Sequence, residues 1–204
     1  MGRYTGPKWK QSRREGTELR DEGKRALAKR NYPPGIHGPM SVRRRLTSYA
    51  KQLREKQKAK RIYGLYEKQF HNLYEKAINL SGDASVNIQQ LLESRLDNII
   101  FRIGWATSRQ QARQLVTHGH IEVNERKVNI PSFLVKPGMK IAVKANYQKK
   151  TYWVSVLPKM KKKTFFSNIA YDFDTNIVTI TTMPDVNELT APFNPTLIIE
   201  FYSK

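Results

Sequence analysis

Positive charge is spread along this chain so unevenly that it limits where a core can form. Residues 1–61 carry 19 Lys and Arg against 5 Asp and Glu, and residues 62–163 carry 17 against 7. Residues 164–204 reverse the balance, with 1 against 5. A net charge of +20 over 204 residues repels itself in a compact body and calls for a polyanionic partner. Nucleic acid is the first candidate, because each phosphate that is neutralised releases condensed counterions. A membrane is a poor second. No apolar run approaches the length of a spanning helix, and Lys161–Lys163 before Phe165 and Phe166 lacks an amphipathic helix to seat it. Met1–Lys10 is polar and basic, unlike a secretory signal.

Cysteine is absent, which excludes disulfides and thiolate zinc sites. His37, His71, His118 and His120 lie in no carboxylate-rich setting. Neither a metal nor another cofactor is expected, and a cytosolic location is.

Residues 1–42 read as a basic extended arm, rich in Gly and Pro (Gly6-Pro7, Pro33-Pro34-Gly35) and poor in aliphatics. Such a segment buries too little apolar area to offset its ordering entropy, so it is expected to order against RNA phosphates. Residues 43–86 read as a helical domain. Its first helix, over 43–61, sets Leu46, Tyr49, Ala50 and Leu53 on one side and crowds the rest with Lys and Arg. Glu55 cannot neutralise them, so this face is expected to meet phosphate. After Gly64, a stripe of Leu65, Tyr66, Phe70, Leu73, Tyr74, Ala77 and Ile78 marks a second helix with a buried face.

Residues 87–144 read as a compact module. A third helix starts at Asn87 as N-cap and continues to Gly104, and a short fourth runs from Ser108 to Gly119. A small antiparallel sheet follows. Strands Ile121–Val123 and Lys127–Ile130 turn at Asn124 and Glu125, and Leu134–Lys136 pairs with Ile141–Val143 across Pro137-Gly138. Residues 145–204 have β-rich composition at Tyr152–Leu157, Ile177–Thr182 and Leu197–Tyr202, with a turn at Asp174–Asn176. The fold class is α+β.

The candidate RNA-binding residues follow the charge. In the arm and first helix they are Arg3, Lys8, Lys10, Arg13, Arg14, Arg43, Arg44, Arg45, Lys51, Arg54, Lys56, Lys58 and Arg61. In the module they are Arg95, Arg109 and Arg113, with Gln114 and His118 as supporting donors. Arg109 and Arg113 are four apart and so project from neighbouring turns of one helix, while Ala112, Leu115 and Val116 face its core. Guanidinium forks suit phosphate oxygens better than a lysine point charge does.

Residues 93–124, ESRLDNIIFRIGWATSRQQARQLVTHGHIEVN, resemble a small RNA-binding module shared by several translation-associated proteins. The flanks narrow the resemblance. They carry Gly6-Pro7-Lys8, Ser12-Arg13-Arg14-Glu15-Gly16, Pro34-Gly35 with His37-Gly38, and Gln52-Leu53-Arg54-Glu55-Lys56-Gln57-Lys58. Tyr63-Gly64, Glu67 with Gln69-Phe70, Pro184, Glu188-Leu189 and the terminal Glu200-Phe201-Tyr202-Ser203-Lys204 continue it. This succession is similar to the bacterial and organellar form of the ribosomal protein S-four (universal uS-four) family, over all but about residues 144–170.

The resemblance implies a helical domain, completed by a C-terminal segment packing back on it, with the RNA-binding module inserted between. It implies binding to 16S rRNA at a helix junction in the 5′ domain and nucleation of small-subunit assembly. It further implies contact with ribosomal protein S-five and other small-subunit proteins, a place near the channel through which mRNA enters, and an influence on decoding accuracy. There are departures. The zinc-binding cysteine cluster of some members is missing, and Glu125 stands where the hairpin turn usually has Gly. Residues 145–170 replace a stretch that is commonly helical and charged.

An RNA-modifying enzyme is the main rival. The same module is fused to pseudouridine synthases, and Arg95-Leu96-Asp97 superficially resembles their catalytic Arg-Leu-Asp. Here the triplet lies inside the module, where Asp97 is expected to pair with Arg95 or Arg102, and no segment remains for a catalytic sheet domain. Neither a Gly-rich phosphate loop nor a nucleophile elbow is present. No enzyme activity and no small-molecule substrate are expected. A quality-control RNA-binding protein built on the module would explain the charge but not the arm and the terminal EFYSK.

Overall fold

The computed structural model describes residues 4–19, 26–41, 45–188 and 191–203. They form two compact units, Met1–Ile88 with Ala191–Lys204, and Gln89–Thr190. The α+β class holds, with helices in both units and one five-stranded antiparallel sheet in the second. No helix among the described residues is long and apolar enough to cross a membrane.

The first unit is helical. α1 (Lys8–Glu15) lies in the segment read as extended. It packs on α2 (Ser48–Ile62), which starts at Ser48 because the Thr47 hydroxyl caps it, accepting from the Ala50 N–H at 3.2 Å. The helix expected from residue 43 therefore begins later. Residues 45–47 are not helical, and 42–44 lie outside the described residues. α3 (Glu67–Asn79) buries Phe70, Leu73, Tyr74 and Ala77 as one stripe. α4 (Ala84–Glu93) starts after Asp83, whose carboxylate accepts from the Ser85 N–H at 2.8 Å. Asn87 is thus one turn inside the helix rather than its cap. Its buried amide donates to the carbonyls of Ala77, Leu80 and Ser81 at 3.1, 3.3 and 3.2 Å, tying off the end of α3.

Leu197–Tyr202, read as a strand, belongs to the C-terminal helix Pro195–Tyr202. Asn194 caps it and Pro195 takes its first position, where a missing N–H costs nothing. This helix lies along α2, with the Tyr49 and Phe201 rings 5.6 Å apart and Gln52 donating to Glu200 at 2.8 Å.

In the second unit the single helix expected from Asn87 to Ile103 is broken. Arg95 is extended, and α5 (Leu96–Ile103) starts beyond it. The break is held from outside: the Leu96 and Asp97 N–H groups donate to the carbonyls of Phe133 and Pro131 at 2.9 and 3.1 Å, and Val135 N–H donates to the Ser94 carbonyl at 2.9 Å. Residues 131–135 are used in this way, so Leu134 makes only an isolated bridge with Arg95 and the expected second hairpin does not form.

α6 (Arg109–Thr117) follows, capped by Ser108. Then come β1 (Ile121–Val123), β2 (Arg126–Lys127), β3 (Lys140–Val143), β4 (Ile169–Asp172) and β5 (Ile177–Ile180), in spatial order β2-β1-β3-β5-β4. β2 is shorter than the strand read over Lys127–Ile130. Asn124 and Glu125 both take positive φ, 48° and 65°, giving a two-residue turn that matches the twist of its strands despite the absence of Gly. Asn124 also accepts from the Lys140 N–H at 2.8 Å, which locks the turn to β3.

The expectation that residues 145–204 pack back as a β-rich whole is corrected. β4 and β5 extend the module's sheet, with Ile141 of β3 opposite Val178 of β5, and only the residues from 191 onward join the helical unit. Tyr152–Leu157 is not a strand. It forms α7 (Thr151–Val156), continued by a tighter turn to Lys162, and it buries Trp153 and Met160 in the core. Trp105 and Trp153 meet edge to face at 5.7 Å at the centre of that core, with Ile100, Ile103, Val116, Ile121, Ile141 and Val178 around them.

Candidate nucleic-acid interface

Several cations of α2 have acidic partners, on α1, on α3 and within α2 itself. Glu15 of α1 is buried and receives Arg54 at 3.2 Å and Arg61 more closely still. Burial pushes its carboxyl above the ordinary range against the pull of both arginines. Lys56 is buried, donates to Glu67 at 2.6 Å and lies 4.3 Å above the Phe201 ring. Lys58 pairs with Glu55 at 2.6 Å. The expectation that this whole face meets phosphate is therefore corrected for Lys56, whose ammonium is committed to the core. Arg54, Lys58 and Arg61 stay part-exposed, the two arginines on the buried Glu15 carboxylate and Lys58 on Glu55.

Other expected residues are spread out. Arg13 donates to the carbonyls of Tyr32 and Pro33 at 3.0 and 3.3 Å and stacks on the Tyr32 ring, so it holds the returning arm. Lys10, Arg14, Arg45 and Lys51 are exposed, and Lys8 is half-buried. Arg3, Arg43 and Arg44 lie outside the described residues.

The second unit gives a more ordered arrangement. Arg95 is only 3% exposed and makes two hydrogen bonds to Asp97, at 3.1 and 2.8 Å. It cannot reach RNA and is corrected to a structural residue. A relay runs instead from Glu93. Its buried carboxylate accepts twice from Arg102, both at 2.8 Å, and once from the Asn98 amide at 2.7 Å. Asn98 turns its oxygen to Arg109 Nε at 2.8 Å. Aromatic rings back both guanidinium groups, Phe166 at 5.0 Å from Arg102 and Phe101 at 4.6 Å from Arg109. Lys163 Nζ then donates to the Arg102 and Ile103 carbonyls at 3.0 and 3.1 Å, closing the end of α5. Two part-exposed arginines are thus held in fixed planes by a buried carboxylate and amide, an order that lowers the entropic cost of gripping an anion.

Arg113 is part-buried one turn beyond Arg109, and Gln114 and His118 are exposed on the same short helix. At its end Gly119 takes φ 71° with the Lys127 side chain folded over it, where a Cβ would lie 2.4 Å from Cε. His120 follows. Its Nδ1 accepts from Trp153 Nε1 at 3.0 Å, and its ring stacks on Tyr147 with centroids 4.0 Å apart. Burial, then Lys150 and His118, push its pKa below the ordinary value, so it is neutral with its proton on Nε2. Lys150 covers the other ring, 4.3 Å from the Tyr147 centroid, and Tyr152 donates to the Trp105 carbonyl at 2.5 Å.

Sequence reasoning missed Asn98, Arg102, Tyr147, Lys150 and Tyr152 as members of this surface. Tyr152 begins the stretch read as strand, and Tyr147 and Lys150 lie in the irregular segment before it. The alternation of aromatic and basic residues in Tyr147-Gln148-Lys149-Lys150-Thr151-Tyr152 was the available signal.

Comparison with known proteins bears on this geometry. The family described as Ribosomal protein S4/S9 N-terminal domain matches residues 3–93, and the S4 domain matches residues 94–141. Proteins named small ribosomal subunit protein uS4 align along the whole chain. The Roseiflexus sp. (strain RS-1) protein is 44% identical over 209 residues, covering 100% of both chains. The Geobacillus sp. (strain WCH70) protein is 46% identical with the same coverage. The Lactococcus lactis subsp. lactis (strain IL1403) protein is 46% identical over 205 residues, covering 100% of this chain and 99% of its own. A chain matched from end to end at this identity, and by both family models, belongs to the uS4 family of small-ribosomal-subunit proteins.

Proposed function

We propose that this chain is a structural component of the small ribosomal subunit in the cytoplasm, where it binds 16S rRNA at a helix junction of the 5′ domain and nucleates assembly. In the same reading it touches ribosomal protein S-five near the channel through which mRNA enters, and so influences decoding accuracy. The family is one of structural proteins rather than enzymes, and Asp97, whose Arg95-Leu96-Asp97 setting has a catalytic look-alike, is locked to Arg95.

The observation that carries the rRNA reading is the Glu93–Asn98 relay, which orients Arg102 and Arg109 beside Arg113. Phosphate contacts of this kind set register on a nucleic acid and supply most of the affinity. The test is filter binding of a 16S 5′-domain transcript to the intact protein and to the double variant Arg109→Glu/Arg113→Glu. Affinity falls roughly a hundredfold, through lost attraction and added repulsion, while circular dichroism is unchanged. A variant that binds as tightly as the parent means the module docks by another face.

A further inference from the structure

On the flank of α6 opposite Arg109 and Arg113 lies a recess of about 200 Å³, lined by Gln111, Gln114, Leu115, His118, His120 and Tyr152. It is smaller than the roughly 300–1,000 Å³ of sites that take drug-sized molecules, so it has space for a single ring system. The floor is apolar, from Leu115, and the walls are aromatic, from Tyr152 and the His120 ring stacked on Tyr147. The rim is polar and much of it is oriented. Gln111 Oε1 accepts from the Thr107 N–H and hydroxyl, both at 2.8 Å, which turns the amide Nε2 outward as a donor. His120 Nδ1 is taken by Trp153, which leaves Nε2–H as the donor of that ring. The Gln114 amide, on the exposed side of α6, supplies both a donor and an acceptor.

We propose that this recess receives one unstacked base of the bound RNA, sandwiched against Tyr152 and read on its edge by the amides of Gln111 and Gln114. This rests on the rRNA-binding reading and adds a base-specific subsite to a surface that otherwise grips phosphate. An apolar floor, aromatic walls and glutamine amides together match how proteins capture a splayed base in a loop or junction. A groove for backbone alone needs cations and has no use for a stacking wall. Lys150, 4.3 Å from the Tyr147 centroid and close enough to His120 to lower its pKa, puts a cation near the recess. The occupant is an RNA base rather than a free nucleotide, because the recess opens beside exposed Gln114 and His118, about one helix width from Arg109 and Arg113 on the other flank of α6.

The experiment uses the intact protein and the 16S 5′-domain transcript, with chemical probing of base edges across the RNA. Parent protein protects a base in an unpaired position, and Gln114→Ala loses that protection while keeping the rest of the footprint. Tyr152→Leu lowers affinity about tenfold through lost stacking, and Tyr152→Phe recovers it. In both weakened variants the slope of log affinity against log salt stays at the parent value, because no phosphate contact is removed. Unchanged affinity and protection in Gln114→Ala and Tyr152→Leu overturn the subsite while leaving the rRNA-binding reading intact. Saturable binding of a nucleoside monophosphate, abolished by Tyr152→Leu with the RNA footprint unaltered, overturns it in favour of a small-molecule site. No footprint from the parent protein at all removes the underlying reading itself.

Discussion

Arg95 and Asp97 meet in a site almost closed to solvent, 3% and 4% exposed, and share two hydrogen bonds. Removing one member of such a pair leaves a buried charge without its counter-charge, which is far more costly than replacing both. Asp97→Ala is therefore expected to destabilise the chain by about 3–5 kcal/mol, measured from urea unfolding midpoints, and Arg95→Met/Asp97→Leu by clearly less. Equal losses in the two would show that packing, not charge, decides the position. The sequence made Asp97 legible as a paired carboxylate but misread Arg95 as an RNA ligand. Residue type alone cannot say whether an arginine two positions from an aspartate bends inward, because that depends on the break at Arg95, and residues 131–135 impose the break from a distance.

Among the elements, the C-terminal helix is fastened to α2 and α3 through Glu67. That carboxylate accepts from Lys56 at 2.6 Å, Lys60 at 2.8 Å and the Tyr202 hydroxyl at 2.8 Å. Burial alone would raise its pKa, but these donors outweigh burial and hold it at about 2, against an ordinary 4.5. Between those values the unfolded chain takes up a proton that the folded one does not. The stabilisation is complete above pH 4.5 and is lost as pH falls toward 2. Tyr202 is shifted the other way, upward, by burial and by Glu67, so its contribution is lost as pH rises above 10. Glu67→Gln is expected to flatten the fall in the urea midpoint between pH 4.5 and 2, and a slope equal to that of the parent would remove Glu67 from the clasp. The helices with clear apolar stripes, α3 and α6, were legible because the 3.6-residue period is local. α7 and the C-terminal helix were not. Their aromatic and β-branched residues read as strand by composition, while Pro195, the Asn194 cap and the packing of Trp153 decide for helix.

At the scale of the whole molecule, charge is the property that sequence reports most directly, and structure changes which charges count. Ion pairs to Glu15, Glu55 and Glu67 engage several cations of α2, and those to Glu15 and Glu67 could not be seen from the crowding of Lys and Arg along one helix. Of the cations expected to meet RNA, Lys10, Arg14, Arg45 and Lys51 are exposed in one unit, and the other unit has the ordered Arg102–Arg109 arrangement. A net charge of +20 with that distribution makes polyanion binding the central claim. It is tested most directly by titrating binding of the intact protein to the 16S 5′-domain transcript from low to moderate salt, beside an unrelated DNA duplex of equal length. Log affinity is expected to fall steeply and linearly with log salt, with a preference for the rRNA that persists along the titration. A flat salt response, or equal affinity for the duplex, would contradict it.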